Sequence, residues 1–271
     1  MKVGLGLIGC LGVLLIISAC SAPSERLTLP IGALEIDGAE RLVETLKAVN
    51  SGLQSYKGIG KLALELTTGQ QKTRIAWIGS APGKLRVEVL AQPGGQPIAS
   101  IASDGQWFYA ISLHEGRFVK KKATRSSLKR LIAIPIGPQD VYTFLAGRIP
   151  ILPFETARLY ACTPSTNSTS KRDPTSPQLI LTLKPKSSRY FSQKIYLVGD
   201  AVRKVEYFDQ SGKFLYRATL QEMKKIGGYS IPMNIDFSDD KQASARITVE
   251  RFWTDVAVSP SVFQLSPPES N

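Results

Sequence analysis

The feature that most constrains the fold is an alternation of apolar and polar residues in three successive segments. It covers residues 61–66, 72–78 and 84–89, with short turn-forming runs that contain Gly or Pro between them. Because neighbouring side chains of a β-strand point to opposite faces, each segment is predicted to be a strand with one apolar face. Together they predict an antiparallel meander with one face in water and one face that must be covered.

Most of the remaining chain has the same period, and helical spacing interrupts it in three places. Apolar residues recur at helical intervals over residues 39–53, 126–136 and 139–148. Strands are predicted to resume after Pro153. The further strand-like segments are residues 97–103, 106–113, 178–183, 193–198, 202–209, 214–223, 229–238 and 243–253. We therefore predict a mainly β, α+β fold of about eleven antiparallel strands, with an N-terminal helix and a central helical pair.

The N-terminal residues have the order of a bacterial lipoprotein signal. Lys2 supplies a positive charge, residues 3–17 form an apolar run, and Ser18-Ala19-Cys20 closes it. We predict that residues 1–19 are a signal peptide whose cleavage leaves Cys20 at the N-terminus for acylation. The alternative is an uncleaved anchor, but the apolar run is short for a membrane span.

One folded domain is predicted between a tether and a tail. Residues 20–36 contain two prolines and no clear period, so they are predicted to be the tether. Residues 37–258 form the domain, in which the Ser-, Thr- and Pro-rich residues 163–177 are predicted to be a flexible insertion. Residues 259–271 contain a Ser-Pro-Pro run and are predicted to be a disordered tail.

The chain is basic, with 34 Lys and Arg against 22 Asp and Glu and a net charge of +12. In an exported protein such a surface fits anionic lipid headgroups better than nucleic acid, whose binding motifs are absent from the sequence. The runs Lys120-Lys121-Lys122, Lys129-Arg130 and Lys224-Lys225 are each predicted to lie on a solvated face. Ser21 is not acidic, which by the sorting pattern of bacterial lipoproteins favours the outer membrane. We expect a monomer that faces the periplasm, with membrane contact through lipidated Cys20 and no nucleic-acid partner.

Residues that could carry catalysis or bind a metal are scarce. His114 is the one histidine, and Cys162 is the one cysteine left after signal cleavage and acylation. A His-rich or Cys-rich metal site and an internal disulfide are therefore excluded, and a carboxylate-only site has no motif. The sequence has no Walker A loop, Gly-x-Ser-x-Gly elbow or His-Glu-x-x-His motif. We predict a protein that is not an enzyme and has no catalytic residues, no metal and no cofactor.

Five motifs occur in a specific order along most of residues 42–258. They are residues 51–58 before an alternating strand, and then residues 84–94, 128–150, 205–207 and 231–235. In this order the sequence resembles the LolA/LolB-like lipoprotein family, and within it the outer-membrane lipoprotein receptor LolB. The central segment, residues 128–150, carries the best match.

The resemblance implies an antiparallel half-open β-barrel in which the helices form a lid over an apolar cavity. Proteins of this family accept acylated lipoproteins from a periplasmic carrier of the LolA type and insert them into the outer membrane, without a cofactor. Burying an acyl chain is worth about 0.8 kcal/mol per methylene, so on the order of 10 kcal/mol per chain. The predicted cavity residues are the shared face of the first strands and the apolar stripe of the lid: Leu62, Leu64, Leu66, Ile75, Trp77, Leu85, Val87, Val89, Leu128, Leu131 and Ile132.

The loop after the third strand departs from the family. The family carries an exposed apolar residue there for membrane insertion, whereas this chain has Pro93, Gly94 and Gly95 at the tip of the transfer loop. Two alternatives therefore stay open. One is a general lipid-binding envelope lipoprotein, which also predicts a lipid-filled cavity. The other is a structural or assembly lipoprotein that binds a protein partner through an apolar patch outside a filled core.

Overall fold

The computed structural model of the protein describes residue 29 and residues 33–113, 115–162, 179–185 and 191–267 of the 271 residues. Several predicted features lie outside these ranges: the signal peptide at residues 1–19, Cys20, most of the tether, His114 and the insertion at residues 163–177.

Fourteen antiparallel strands form a single open sheet over the described residues. The strands are β1 Ala33–Ile36, β2 Ser55–Leu66, β3 Gly69–Ser80, β4 Lys84–Leu90, β5 Pro97–Ser103, β6 Trp107–Ser112, β7 Arg117–Lys122, β8 Thr156–Cys162, β9 Leu179–Lys184, β10 Ser192–Val198, β11 Ala201–Phe208, β12 Phe214–Ile226, β13 Tyr229–Ser238 and β14 Ser244–Thr254. Their order across the sheet is β1-β8-β9-β10-β11-β12-β13-β14-β2-β3-β4-β5-β6-β7. The predicted mainly β, half-open antiparallel class is confirmed.

The three alternating segments form the meander that their period predicts. They lie in β2, β3 and β4, which pair in that order. Trp77 of β3 lies opposite Gly58 of β2 and Val87 of β4, so the apolar residues of the three strands share one face. That face is the inner face of the open barrel, where Ile75, Trp77 and Leu85 are buried.

The strand count is higher than about eleven because two edge strands were not predicted. β1 lies at one edge and occupies residues 33–36, which we had assigned to the tether. It pairs with β8 through its backbone, while Leu34 is 62% exposed and Ile36 is 40% exposed. A strand held mainly by backbone hydrogen bonds at an edge has no apolar period to reveal it.

The other unpredicted strand, β7, contains the lysine run of residues 120–122. We had assigned this run to a solvated face, and Lys120 and Lys122 are indeed exposed. The run is nevertheless the free edge of the sheet beside β6. Lysine is a common residue on edge strands, because its charge prevents pairing with another chain.

The three helices are shorter than their apolar spacing predicted. They are α1 Ala39–Ala48, α2 Lys129–Ile132 and α3 Pro138–Leu145, in place of residues 39–53, 126–136 and 139–148. α2 ends after one turn because Ala133 adopts a left-handed conformation with φ of 61°. Pro138 begins α3, at a position where the missing N–H would have no partner in any case. The longest helix of the described part is α1, with ten residues, and none of these helices is long and apolar enough to cross a membrane.

The predicted disordered tail is wrong for residues 260–263. Pro260–Phe263 form a short 3₁₀-helix, and the Phe263 side chain is only 1% exposed. Nη1 of Arg86 on β4 donates a hydrogen bond to the carbonyl oxygen of Val262 at 3.2 Å. The single aromatic residue of the segment was too weak a signal to predict that it packs on the sheet.

α3 lies inside the open barrel and forms the centre of the core. Phe144 is fully buried, and its ring packs edge-on against Phe237 of β13, with 5.5 Å between the ring centroids. The Tyr56 hydroxyl of β2 donates to the carbonyl oxygen of Tyr142 at 2.6 Å, and the two rings stack. α3 is thereby attached to β2 at one point and packed against β13 at another.

Candidate functional site

An apolar cavity of about 80 Å³ lies between the inner face of the sheet and the helices α2 and α3. Seven of the eleven predicted residues line it, and all are apolar: Leu62, Ile75, Trp77, Leu85, Val87, Leu128 and Ile132. The strands supply the first five of these residues, and the lid segment supplies Leu128 and Ile132. Such a lining can solvate a hydrocarbon chain but offers no polar group that could orient a reacting one.

Four of the predicted residues lie elsewhere. Leu64, Leu66 and Val89 are half-buried on the same face, toward the end of the meander and outside the cavity wall. Leu131 points outward and is 42% exposed. α2 completes only one turn, so its outer residues have no neighbouring element to cover them.

The far wall of the cavity was not predicted. It comes from β5, α3, β13 and β14, through Ile101, Val141, Leu145, Phe237, Ala245 and Ile247. Each of these strands has the period-two signal, and α3 has the helical one. Their meeting with β2 depends on the pairing of β14 with β2, which joins residues almost two hundred positions apart.

Trp77 forms the floor of the cavity because β2 carries glycine beneath its ring. A Cβ atom at Gly58 would lie 2.3 Å from Cζ2 of Trp77, and a Cβ atom at Gly60 would lie 3.2 Å from Cη2. The indole therefore lies directly on the backbone of β2, where no other residue would leave room for it. Its Nε1 is buried without a hydrogen-bond partner in the described part of the chain.

A buried carboxylate lies at the start of α3, beside the lid. Asp140 is 7% exposed, and its Oδ1 lies 3.7 Å from Nη1 of Arg125. Burial raises the pKa of Asp140 above its ordinary value and outweighs the lowering effects of Arg125, of the Gly137 backbone and of Tyr216. The pair connects α3 to the loop before α2. No cluster of three or more potential metal ligands occurs among the described residues.

The predicted transfer loop joins β4 to β5 and is fully exposed. Pro93, Gly94 and Gly95 form its tip, and the two glycines have positive φ angles. The loop itself has no large apolar side chain. Two exposed apolar residues lie next to it: Ile98 is 44% exposed and Leu113 is 48% exposed, and the Leu113 N–H donates to the Ile98 carbonyl oxygen at 3.0 Å.

A larger cleft of about 740 Å³ opens at a different place, between the end of α1 and the turns that join β10 to β11 and β12 to β13. Its walls include Val202, Leu220 and Met223, but Asp200 and Lys225 also line it. The cleft is therefore of mixed polarity, whereas the cavity under α2 is apolar on every side. Nothing in the sequence period distinguished this cleft in advance.

Comparison with known proteins supports the architecture. A sequence model of a family described only as an uncharacterized protein matches residues 166–267. No curated protein matches the chain. A lipoprotein-sorting domain of the outer membrane from Vibrio parahaemolyticus superposes with a TM-score of 0.57 at 13% identity, over 83% of this chain and 97% of that one.

Two further solved structures have the same fold. A LolA superfamily protein from Nitrosomonas europaea superposes with a TM-score of 0.53 at 12% identity, over 85% of this chain and 99% of that one. A DUF1329 family protein from Desulfovibrio piger gives a TM-score of 0.55 at 11% identity, over 84% and 98%. Identities this low establish the architecture alone. The open antiparallel sheet with its internal helices is therefore the fold that this chain shares with the three solved proteins.

Proposed function

We propose that the protein is a non-enzymatic envelope lipoprotein that binds acyl chains in the apolar cavity beneath α2. The observation that carries this proposal is the lining of that cavity, which is apolar on all sides. An acyl chain gains free energy from such a site in proportion to the methylenes removed from water, on the order of 10 kcal/mol for a complete chain. The LolA-like fold supports the proposal, because a solved protein of this fold is named for lipoprotein sorting.

The cavity must expand before it can hold a chain. Its volume of about 80 Å³ is well below the roughly 300 Å³ of a small ligand pocket. α2 is the element most easily displaced, because it has one turn and none of its residues 129–132 is buried. Outward movement of α2 would withdraw Ile132 from the cavity and join it to the half-buried inner face around Leu64 and Val89.

The cellular role that we propose follows the family. Cys20 would carry the lipid anchor and hold the protein to the outer membrane, facing the periplasm. The cavity would receive the acyl chains of lipoproteins from a periplasmic carrier of the LolA type and release them toward the bilayer. The exposed pair Ile98 and Leu113 would supply the apolar contact that the transfer loop lacks.

Native mass spectrometry of the full chain, purified from membranes with a co-expressed acylated lipoprotein, tests the proposal. We expect a bound lipoprotein, and we expect Val87→Glu to abolish its binding because the carboxylate would enter the cavity wall. The matched control is Val119→Glu, the same substitution at an exposed valine of β7 that does not line the cavity, which should retain the ligand.

Other outcomes assign the site differently. Bound phospholipid without lipoprotein would replace lipoprotein reception with general lipid binding. A ligand that survives Val87→Glu but is lost in Val202→Glu would move the site to the larger cleft, since Val202 lines that cleft. A folded protein with no ligand at all would contradict acyl-chain binding.

A further inference from the structure

Basic residues are concentrated beside the lid. Residues 116–139 contain seven Lys and Arg and no Asp or Glu. This segment comprises the edge strand β7, the connecting loop and α2. Lys121 attaches the two elements to each other, because its Nζ donates to the carbonyl oxygen of Ser127 at 3.3 Å. Lys121 therefore faces α2, whereas Lys120 and Lys122 alternate with it and point to the other face of β7.

Three of the seven cations have local partners. Arg117 pairs with Glu115 at 3.4 Å, Arg125 with Asp140 at 3.7 Å, and Lys121 is held by Ser127. The other four are exposed, and no acidic residue in the described ranges forms an ion pair with them. Two of them, Lys129 and Arg130, lie on α2 itself. We call these two residues, together with Leu131, the basic lid face.

An apolar side chain lies beside these cations. Leu131 directly follows Lys129 and Arg130 on α2 and is 42% exposed. Cations beside an exposed leucine match the interface of an anionic bilayer, where headgroups neutralise the charge and the apolar group reaches the acyl boundary. An acidic protein surface would match the charges but would give Leu131 no comparable environment.

Protection of the sheet edge explains only the β7 part of the basic segment. Lysines on β7 would discourage pairing of the edge strand with another chain. Lys129, Arg130 and Leu131 lie on α2, which has no strand edge to protect. α2 also has a second side, since Leu128 and Ile132 line the apolar cavity. The element that closes the cavity is thus the one that presents cations and leucine to solvent.

We propose that the basic lid face docks the protein on an anionic lipid surface and so places the cavity entrance against the bilayer. This goes beyond the proposed function, on which it rests for the compartment and for the anchor at Cys20. Twelve residues separate Cys20 from β1, and this segment can span up to about 45 Å, whereas the radius of gyration expected of the domain is about 17 Å. An anchor of that length leaves every face able to reach the membrane, so the distribution of charge decides the orientation.

A fluorescent label at position 131 tests this orientation. The full chain with Cys162→Ser and Leu131→Cys is labelled with an environment-sensitive dye and reconstituted in vesicles. One vesicle preparation contains equal parts of phosphatidylcholine and phosphatidylglycerol, and the other contains phosphatidylcholine alone. We expect a blue shift and protection from an aqueous quencher only with phosphatidylglycerol, and weaker protection as salt is added. A label at exposed Ser211, on the turn between β11 and β12, should remain in water.

Charge removal makes the test quantitative. Each cation at an anionic surface contributes about fivefold to binding, so Lys129→Gln with Arg130→Gln should lower the ratio of docked to undocked protein roughly 25-fold. Lys213→Gln with Lys241→Gln removes the same charge from two exposed turns and should leave the ratio unchanged.

Three results would overturn the proposal: an unshifted label at position 131, equal protection at positions 131 and 211, or equal loss in the two charge variants. An unshifted label at position 131 would indicate that the basic lid face binds an acidic protein partner instead of lipid. The mass of the purified chain reports acylation at Cys20 separately, and the label reports docking whether or not the cavity is filled. Failure of docking and failure of the proposed function are therefore distinguishable.

Discussion

Gly58 and Trp77 form a close fit between two single residues on neighbouring strands. The indole rests on the β2 backbone, in the space that a side chain at position 58 would occupy. Sequence reasoning predicted the face on which Trp77 lies, because alternation specifies a face. It did not predict the role of Gly58, because a glycine in a strand has no period of its own and its use depends on which residue lies opposite.

Replacing Gly58 with alanine should destabilise the fold. The new Cβ would lie 2.3 Å from the Trp77 ring, so the ring or the strand must shift, and we expect a loss of about 1–3 kcal/mol in the free energy of unfolding. Urea unfolding followed by tryptophan fluorescence measures this loss. Gly52→Ala is the matched control, because its Cβ would make an ordinary contact of 3.6 Å with the Tyr229 hydroxyl. Equal effects of the two substitutions would contradict the inference that the Trp77 ring requires glycine at position 58.

Asp140 should make stability depend on pH with a defined sign. Burial raises its pKa in the folded protein above the ordinary 3.8, so the folded state binds the proton more tightly than the unfolded chain does. The stability that the protonated form contributes is complete below the unfolded pKa and is lost as pH rises through the folded pKa. We expect the free energy of unfolding of the wild type, relative to Asp140→Asn, to fall with increasing pH above about 4. A relative stability that rises over this range would show that the ion pair with Arg125 dominates instead.

At the scale of secondary-structure elements, the apolar–polar period of the sequence matches the observed burial of side chains in the central strands. The two differ in the edge strands of the sheet and at the ends of the helices. β2, β3 and β4 each have a covered and an uncovered face, so their alternation is strong. β1 and β7 each pair with one strand only, because they lie at the two edges of the sheet. Many of their side chains are charged or exposed, so their sequences do not alternate as those of core strands do. α2 ends early because one left-handed residue, Ala133, overrides a repeated apolar spacing.

The C-terminal 3₁₀-helix is expected to contribute to stability although it has only four residues. Phe263 is 1% exposed, so Phe263→Ala should cost about 3–5 kcal/mol of the free energy of unfolding. Chemical denaturation of the two variants provides the measurement, with the exposed neighbour Gln264→Ala as control, expected to lie within about 0.5 kcal/mol of wild type. An unchanged midpoint in Phe263→Ala would mean that packing of Phe263 on the sheet does not stabilise the fold, as expected of the disordered tail that the sequence predicted.

For the whole molecule, the decisive contact is the pairing of β14 with β2. It joins the strands of the first half of the chain to those of the second half and makes one continuous sheet. α3 then fills the inside of that sheet, and the apolar cavity forms where α2 and α3 approach β2, β3 and β4 without filling the space. Neither the cavity nor the larger cleft belongs to one element, which is why each could be located only in the assembled fold.

The sequence alone determined which residues turn inward on the early strands, because period two is a local property of the chain. It also determined the antiparallel class and the scarcity of residues able to catalyse a reaction, which follow from pattern and composition. The tertiary structure decided that Leu131 faces solvent, that Val141 and Ile247 complete the cavity, and that Phe263 is buried. These outcomes depend on contacts between segments that are far apart in the sequence. Such contacts are specified by the packing of the whole chain, whereas the period of a segment is a property of that segment alone.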